Sequence, residues 1–170
     1  MGIAEKRGGA RGPENVWGSA ATAMVCALLT SVVPAWTPAL KVGYVASLAT
    51  KLSDTCGSEI GKAYGKTTYL ITTLKKVPKG TEGAVSLEGT LAGIVGSLLM
   101  VGVGAALGLI EGPAAAVACV VAAFVATTAE SFIGATFQDS VPWLTNELVN
   151  LVNTLIGAAV AMGVYFALLH

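Results

Sequence analysis

Long apolar runs separated by short polar breaks dominate this chain. Residues 16–33, 87–110, 113–135 and 148–169 are each long enough to cross the hydrocarbon core as a helix. A shorter apolar segment, 38–52, contains Lys41 and runs directly into the polar stretch SDTCGSEIGKAYGK at 53–66. The pattern predicts an all-α polytopic membrane protein. It has about five transmembrane helices, the second being the weakest, and a lysine-rich loop after that second helix. Residues 1–15 read as a polar N-terminal loop, and 16–170 as a single helical membrane domain.

Composition agrees with this class and sharpens it. Apolar residues make up 54% of the chain and charged ones 12%, and the mean hydropathy is +0.73, well above that of an ordinary soluble domain. The formal net charge of zero hides an asymmetry. Lys6, Arg7 and Arg11 precede the first span, Lys62, Lys66, Lys75, Lys76 and Lys79 follow the second, and no lysine or arginine occurs from Gly89 onward. Five crossings put the basic N-terminus, the lysine loop and the 136–147 loop on one side, which the positive-inside rule assigns to cytosol, stroma or matrix. Glu111 and the VPAWTP turn at 33–38 then lie opposite, and Trp17, Trp36 and Trp143 fall where interfacial anchors are expected. The lipid bilayer is the implied partner, and nucleic acid is not.

Two residue types narrow the chemistry. Histidine occurs only at His170, which argues against a Ser-His-Asp triad or a histidine-rich zinc site. Cys26, Cys56 and Cys119 have no metal-ligand spacing and are expected to be free thiols. Gly89/Gly93 and Gly104/Gly108 supply the small-xxx-small spacing that lets membrane helices approach closely.

The polar stretch at 53–66 is the strongest candidate site. On a helix, Gly57, Gly61 and Gly65 form one stripe, suited to packing or to a close ligand. Asp54, Ser58, Lys62 and Lys66 form another, drifting about 40° per step. A carboxylate at one end and ammonium groups at the other suit a metal-bound phosphate chain, with Asp54 and Glu59 as candidate Mg²⁺ ligands and Lys62 and Lys66 neutralising phosphate oxygens. Ordinary i,i+4 salt bridging on a solvated helix end is the simpler alternative. GKAYGKT (61–67) is one residue short of a P-loop and follows no apolar strand.

Two further polar groups extend the constellation. The segment 72–93 offers Lys75, Lys76 and Lys79 around Pro78, then Thr81, Glu82 and Gly83. Backbone N–H groups of its glycines can face an anion, although lysines there also suit lipid headgroups. A second patch combines Glu130, Asp139, Asn146 and Asn150, with Glu147, Asn153 and Thr154 nearby. An intramembrane acid points to function, whereas an asparagine stripe also serves as interhelical glue. The predicted topology opens both patches on one side.

AEKRGGARGPENVWGS (4–19), the 53–93 region and AESFIGATFQD (129–139) resemble the integral membrane family of transmembrane protein 19 and the plant and algal phytyl-phosphate kinases of tocopherol synthesis. The resemblance covers essentially the whole chain. It implies transfer of a phosphoryl group from a nucleoside triphosphate, CTP, to phytyl phosphate, giving phytyl diphosphate, in a chloroplast membrane. The order Asp54, Gly61-Lys62, Gly65-Lys66, Pro78 and Glu82-Gly83 is also similar to dolichol kinase and phosphatidate cytidylyltransferase, where the aspartate belongs to the metal and nucleotide site. By that likeness Asp54 inherits metal binding, and Lys62, Lys66 and Glu82 inherit nucleotide contacts. Ser58, Lys75, Lys76, Lys79 and Thr81 complete the expected phosphate-binding set, and the apolar tail is expected between the glycine-faced helices. The family's additional N-terminal helices do not appear in this sequence, so the chain is expected to be part of a longer protein. A transporter built on the acidic and asparagine patch and a CTP-dependent cytidylyltransferase are the competing readings.

Overall fold

The computed structural model describes residues 12–138, 140–141 and 143–169. Five helices carry the fold: α1 (Pro13–Val32), α2 (Thr37–Tyr64), α3 (Leu87–Ala106), α4 (Gly112–Ile133) and α5 (Asn146–Leu169). A 3₁₀ turn at Pro34–Trp36 joins α1 to α2, and a π-helical turn at Gly134–Gln138 continues α4. The chain is all-α and polytopic apart from one small ribbon, in which β1 (Tyr69–Leu70) pairs antiparallel with β2 (Ala84–Val85).

Four helices, α1, α3, α4 with its π turn, and α5, are long and apolar enough to cross a membrane. The fifth, α2, occupies the centre and packs against all four. The short apolar segment and the charged stretch after it form one unbroken helix of 28 residues, about 42 Å at 1.5 Å per residue. Most of its polar groups, Lys51, Ser53, Asp54, Ser58 and Lys62 among them, are buried or half-buried against protein, which reconciles their number with a membrane setting. Helix formation stops at Gly65, whose ψ of 120° turns the chain away, so Lys66 leaves the stripe it was expected to join.

The interior is made of small residues and the exterior of large ones. Ala46, Ala49, Ala118, Ala122, Ala123 and Ala126 are buried, while Leu28, Val32, Leu99, Val103, Val121 and Val125 are exposed on the outside. In lipid no hydrophobic force drives helices together, so close backbone approach through small residues takes its place. The α2–α3 contact is the tightest example. A methyl group placed on Gly89 would lie 2.6 Å from the Gly57 carbonyl oxygen, one on Gly93 3.0 Å from that of Ser53, and one on Gly104 2.8 Å from Val45. The glycine stripes of α2 and α3 therefore face each other directly. The two backbones touch there, and Gly57, Gly61, Gly89 and Gly93 also border the open space at that end of the bundle. Gly108 departs from expectation: it lies beyond the end of α3 at φ +67°, with open space around it, and serves a turn rather than a helix contact.

Cross-contacts fix the direction of the helices. Gly18 of α1 sits against the Glu147 backbone at the start of α5. Thr22 and Thr154 share a 2.8 Å hydrogen bond further along, and Trp36 meets Phe166 edge-on at 5.6 Å at the far end. Helices α1 and α5 are thus parallel, and α2 runs against both. The start of α1, the end of α2, the ribbon, the start of α3, the end of α4 and the start of α5 share one end of the bundle. This is the arrangement that the charge asymmetry predicts.

The glycine interface yields a direct test. Gly89→Ala is expected to destabilise the bundle by about 1–3 kcal/mol, the cost of forcing a methyl into a packed contact. Gly102→Ala on the same helix meets open space and is expected to leave thermal unfolding in detergent unchanged or slightly raised.

Candidate functional site

The shared end of the bundle encloses a chamber of about 1090 Å³. From α2 it is lined by Lys51, Asp54, Ser58 and Lys62, and from the ribbon by Lys79, Thr81 and Glu82. Glu130 and Ser131 contribute from α4, and Asn146, Glu147 and Asn150 from α5. Two polar patches far apart in sequence therefore meet in one place.

At its centre is a residue that sequence reasoning passed over. Lys51 Nζ donates to Asp54 Oδ2 at 2.7 Å and to Asn150 Oδ1 at 2.6 Å. The two charged side chains are 16% and 21% exposed, so water screens them weakly and the pair holds its geometry. The i,i+3 spacing of Lys51 and Asp54 on a helix was the available signal, hidden because Lys51 ends an apolar segment. Glu130 lies within hydrogen-bonding reach of Asp54 on its other side, with Lys51 and Glu82 among the charges that face it. Asn153 Nδ2 donates to Glu130 Oε2, while Asn153 Oδ1 is buried without a partner. Asn150 and Asn153 are therefore both glue and site: each ties α5 to a charged residue of another helix.

The ribbon closes one side of the chamber. Residue 68 pairs with residue 77 through Val77 N to Thr68 O at 3.0 Å and Thr68 Oγ1 to Val77 O at 2.5 Å. Ile71 N bonds the Gly83 carbonyl at 3.1 Å. Gly83 has φ +71°, and a side chain there would run into Ala135 and the Ser131 carbonyl. Only glycine allows the ribbon to dock on the π turn and so bring Thr81 and Glu82 to the chamber. π-Helical turns recur at functional sites, and this one lies against the docked loop.

Some expected residues do not line the chamber. Glu59 is exposed, and lies about 140° around α2 from Asp54 at 100° per residue. Lys66, Lys75 and Lys76 are exposed as well, the last two paired back against Leu70 and Tyr69 of β1. Asp139 lies outside the described residues. Cys26, Cys56 and Cys119 are free thiols, and none lines the chamber.

The family model for an integral membrane protein family, DUF92, matches residues 1–158. The chain belongs to the DUF92 family. It is 59% identical over 164 residues to an uncharacterized membrane protein of Synechocystis, covering 96% of this chain and 63% of that one. It is 53% identical over 167 residues to the chloroplastic protein VTE6 of Arabidopsis thaliana, covering 95% and 50%. An uncharacterized membrane protein of Methanocaldococcus jannaschii is 38% identical over 128 residues, covering 75% and 52%. The chain thus spans between half and two thirds of the length of these relatives. No solved structure matches it significantly. Family membership and the apolar helices together make this a multi-pass integral membrane protein.

The Lys51 junction has a measurable consequence for the DUF92 bundle. Lys51→Met strands the Asp54 carboxylate and the Asn150 carbonyl, and is expected to cost about 1.5–3 kcal/mol in thermal unfolding. Adding Asp54→Asn removes the stranded charge and is expected to recover part of that loss. Strictly additive losses would assign Lys51 no special bond to Asp54.

Proposed function

We propose that the family-length protein is an isoprenoid-phosphate kinase. It transfers a phosphoryl group from a nucleoside triphosphate, CTP by resemblance, to phytyl phosphate in tocopherol synthesis, in a chloroplast membrane like its chloroplastic relative VTE6. The observation that carries this reading is the convergence of Lys51, Lys62 and Lys79 with Asp54 and Glu130 in one chamber at the end of the bundle that carries the lysine-rich segment. Phosphoryl transfer asks a protein mainly for positioning and charge neutralisation, and that combination supplies both. The likeness to VTE6 supports the pathway.

The donor set suits a hard cation. Asp54 and Glu130 approach each other, and neither histidine nor thiol lines the chamber. Among the described residues no group of three or more acidic, histidine or cysteine side chains is placed to hold a metal. Mg²⁺ needs only one or two protein carboxylates when substrate phosphates and water complete its shell. Asp54, helped by Glu130 rather than by the exposed Glu59, is the pair that would hold it. When bound, the ion would neutralise charge shared between donor and acceptor phosphates.

The protein's own groups do the rest. Lys62 and Lys79 hold the triphosphate, while Ser58 and Thr81, whose hydroxyls donate to the Thr55 and Pro78 carbonyls, line the same space. Lys51 keeps Asp54 turned into the chamber. An oxygen of the acceptor monophosphate forms the new P–O bond as the bond from the γ-phosphorus to the β,γ-bridging oxygen breaks, and the nucleoside diphosphate leaves with the electron pair. The acceptor is already ionised, so no general base is required, which fits a chamber without histidine.

Purified family-length protein given γ-labelled CTP and phytyl phosphate is expected to yield CDP and labelled phytyl diphosphate. Pyrophosphate release would mean cytidylyl transfer, and no turnover with any nucleotide would point to transport. In the same assay Asp54→Asn is expected to insert normally and lose at least about a hundredfold in turnover, roughly 2.7 kcal/mol, with little rescue by excess Mg²⁺. Near-normal turnover per folded molecule would overturn the assignment of Asp54.

A further inference from the structure

Away from its charges the chamber changes character. On the side between α3 and α4 it is lined by Thr90 and Ile94 from α3 and by Phe124, Thr127 and Thr128 from α4. The α4 threonines are not polar toward this space. Thr127 Oγ1 donates to the Ala123 carbonyl at 2.9 Å, and Thr128 Oγ1 to the Phe124 carbonyl at 2.7 Å. A hydroxyl bound back to its own helix leaves its γ-methyl as the remaining surface. The α4 half of this side is therefore apolar although it carries two threonines.

This apolar side reaches the outside of the bundle. Phe124 is 48% exposed, although it also lines the chamber, and its neighbours Val121 and Val125 are exposed beside it. Phe124 lies on α4 about 9 Å of helix rise before Glu130. A molecule entering at Phe124 would meet methyl groups and aromatic surface first, then the acid–lysine cluster. Between α2 and α3 the backbones touch at Gly57 and Gly89, so these glycine faces border the chamber without parting into a slot of their own.

We propose that the slot between α3 and α4 is the entry and seat of a single isoprenoid chain, admitted sideways from the bilayer with its monophosphate toward Lys51, Lys62 and Lys79. The inference rests on the kinase reading above and adds the place of the lipid tail. Charge complementarity sets the orientation, since the lysines sit at the end of the slot away from lipid.

The probe is a farnesyl monophosphate carrying a photoactivatable diazirine at mid-chain, added to the family-length protein in lipid nanodiscs. Cross-links read by mass spectrometry are expected within 90–94 and 124–128. Excess geranylgeranyl monophosphate, at about ten times its own Kd, should suppress them about tenfold, while two-chain phosphatidate should not. Ile94→Trp is expected to abolish the label and raise KM for phytyl phosphate. If Ile94→Trp fails to insert, Thr128→Phe, which fills the same slot from α4, takes its place. Label on the outer faces of α1 and α5, or equal suppression by phosphatidate, would overturn the proposal. Intact labelling at 90–94 and 124–128 without any phosphoryl transfer would remove the kinase reading and leave the slot. Phosphoryl transfer with labelling elsewhere would do the reverse.

Discussion

The arrangement of the chamber depends on a charge that cannot stand alone in a membrane bundle. Lys51 sits on the central helix and bonds both Asp54 of its own helix and Asn150 of α5. An ionised group inside a bundle is tolerated when partners replace water, and here the partners come from two helices. The same bonds orient Asp54, bring it against Glu130 of α4, and leave Asn153 to hold Glu130 in turn. Remove the ammonium, and the chamber loses the contact that places its central carboxylate.

Packing makes this junction available. Because α2 and α3 touch through glycine, α2 sits deep enough to meet all four other helices, and Lys51 and Asp54 are largely covered. The docked ribbon then covers one side, at a position that Gly83 alone permits. What remains is a compartment with lysines and acids at one end and an apolar flank, a division that suits an amphiphile whose reacting group is charged and whose bulk is not.

Much of this architecture was legible before any coordinates. Long apolar runs located α1, α3, α4 and α5 within a few residues, because a lipid-facing helix must be apolar along a bilayer-length stretch. The central helix was harder. Hydropathy reports contact with lipid, and α2 is covered by protein, so it appeared as a short segment followed by polar sequence. The site was legible where helical spacing alone decides placement, as for Asp54, Ser58 and Lys62. It was not legible where the helix ended, since Gly65 removes Lys66 from the stripe, nor where a five-residue offset turns Glu59 away. Lys51 was hidden by its apolar neighbours. The meeting of the ribbon with α4 depends on a left-handed glycine and a π turn, neither of which has a sequence pattern of its own.

The central claim is that polar residues from α2, the ribbon and α5 line one ligand chamber. Single cysteines at Ser58, Thr81 and Asn146, introduced separately into a cysteine-free background of the family-length protein, test it through their rates of modification by a water-soluble maleimide. A magnesium–nucleotide complex is expected to slow all three together, with the same concentration dependence, and to leave cysteines at Glu59 and Lys75 unaffected. Protection confined to one element, or equal protection at Glu59 and Lys75, would contradict the account.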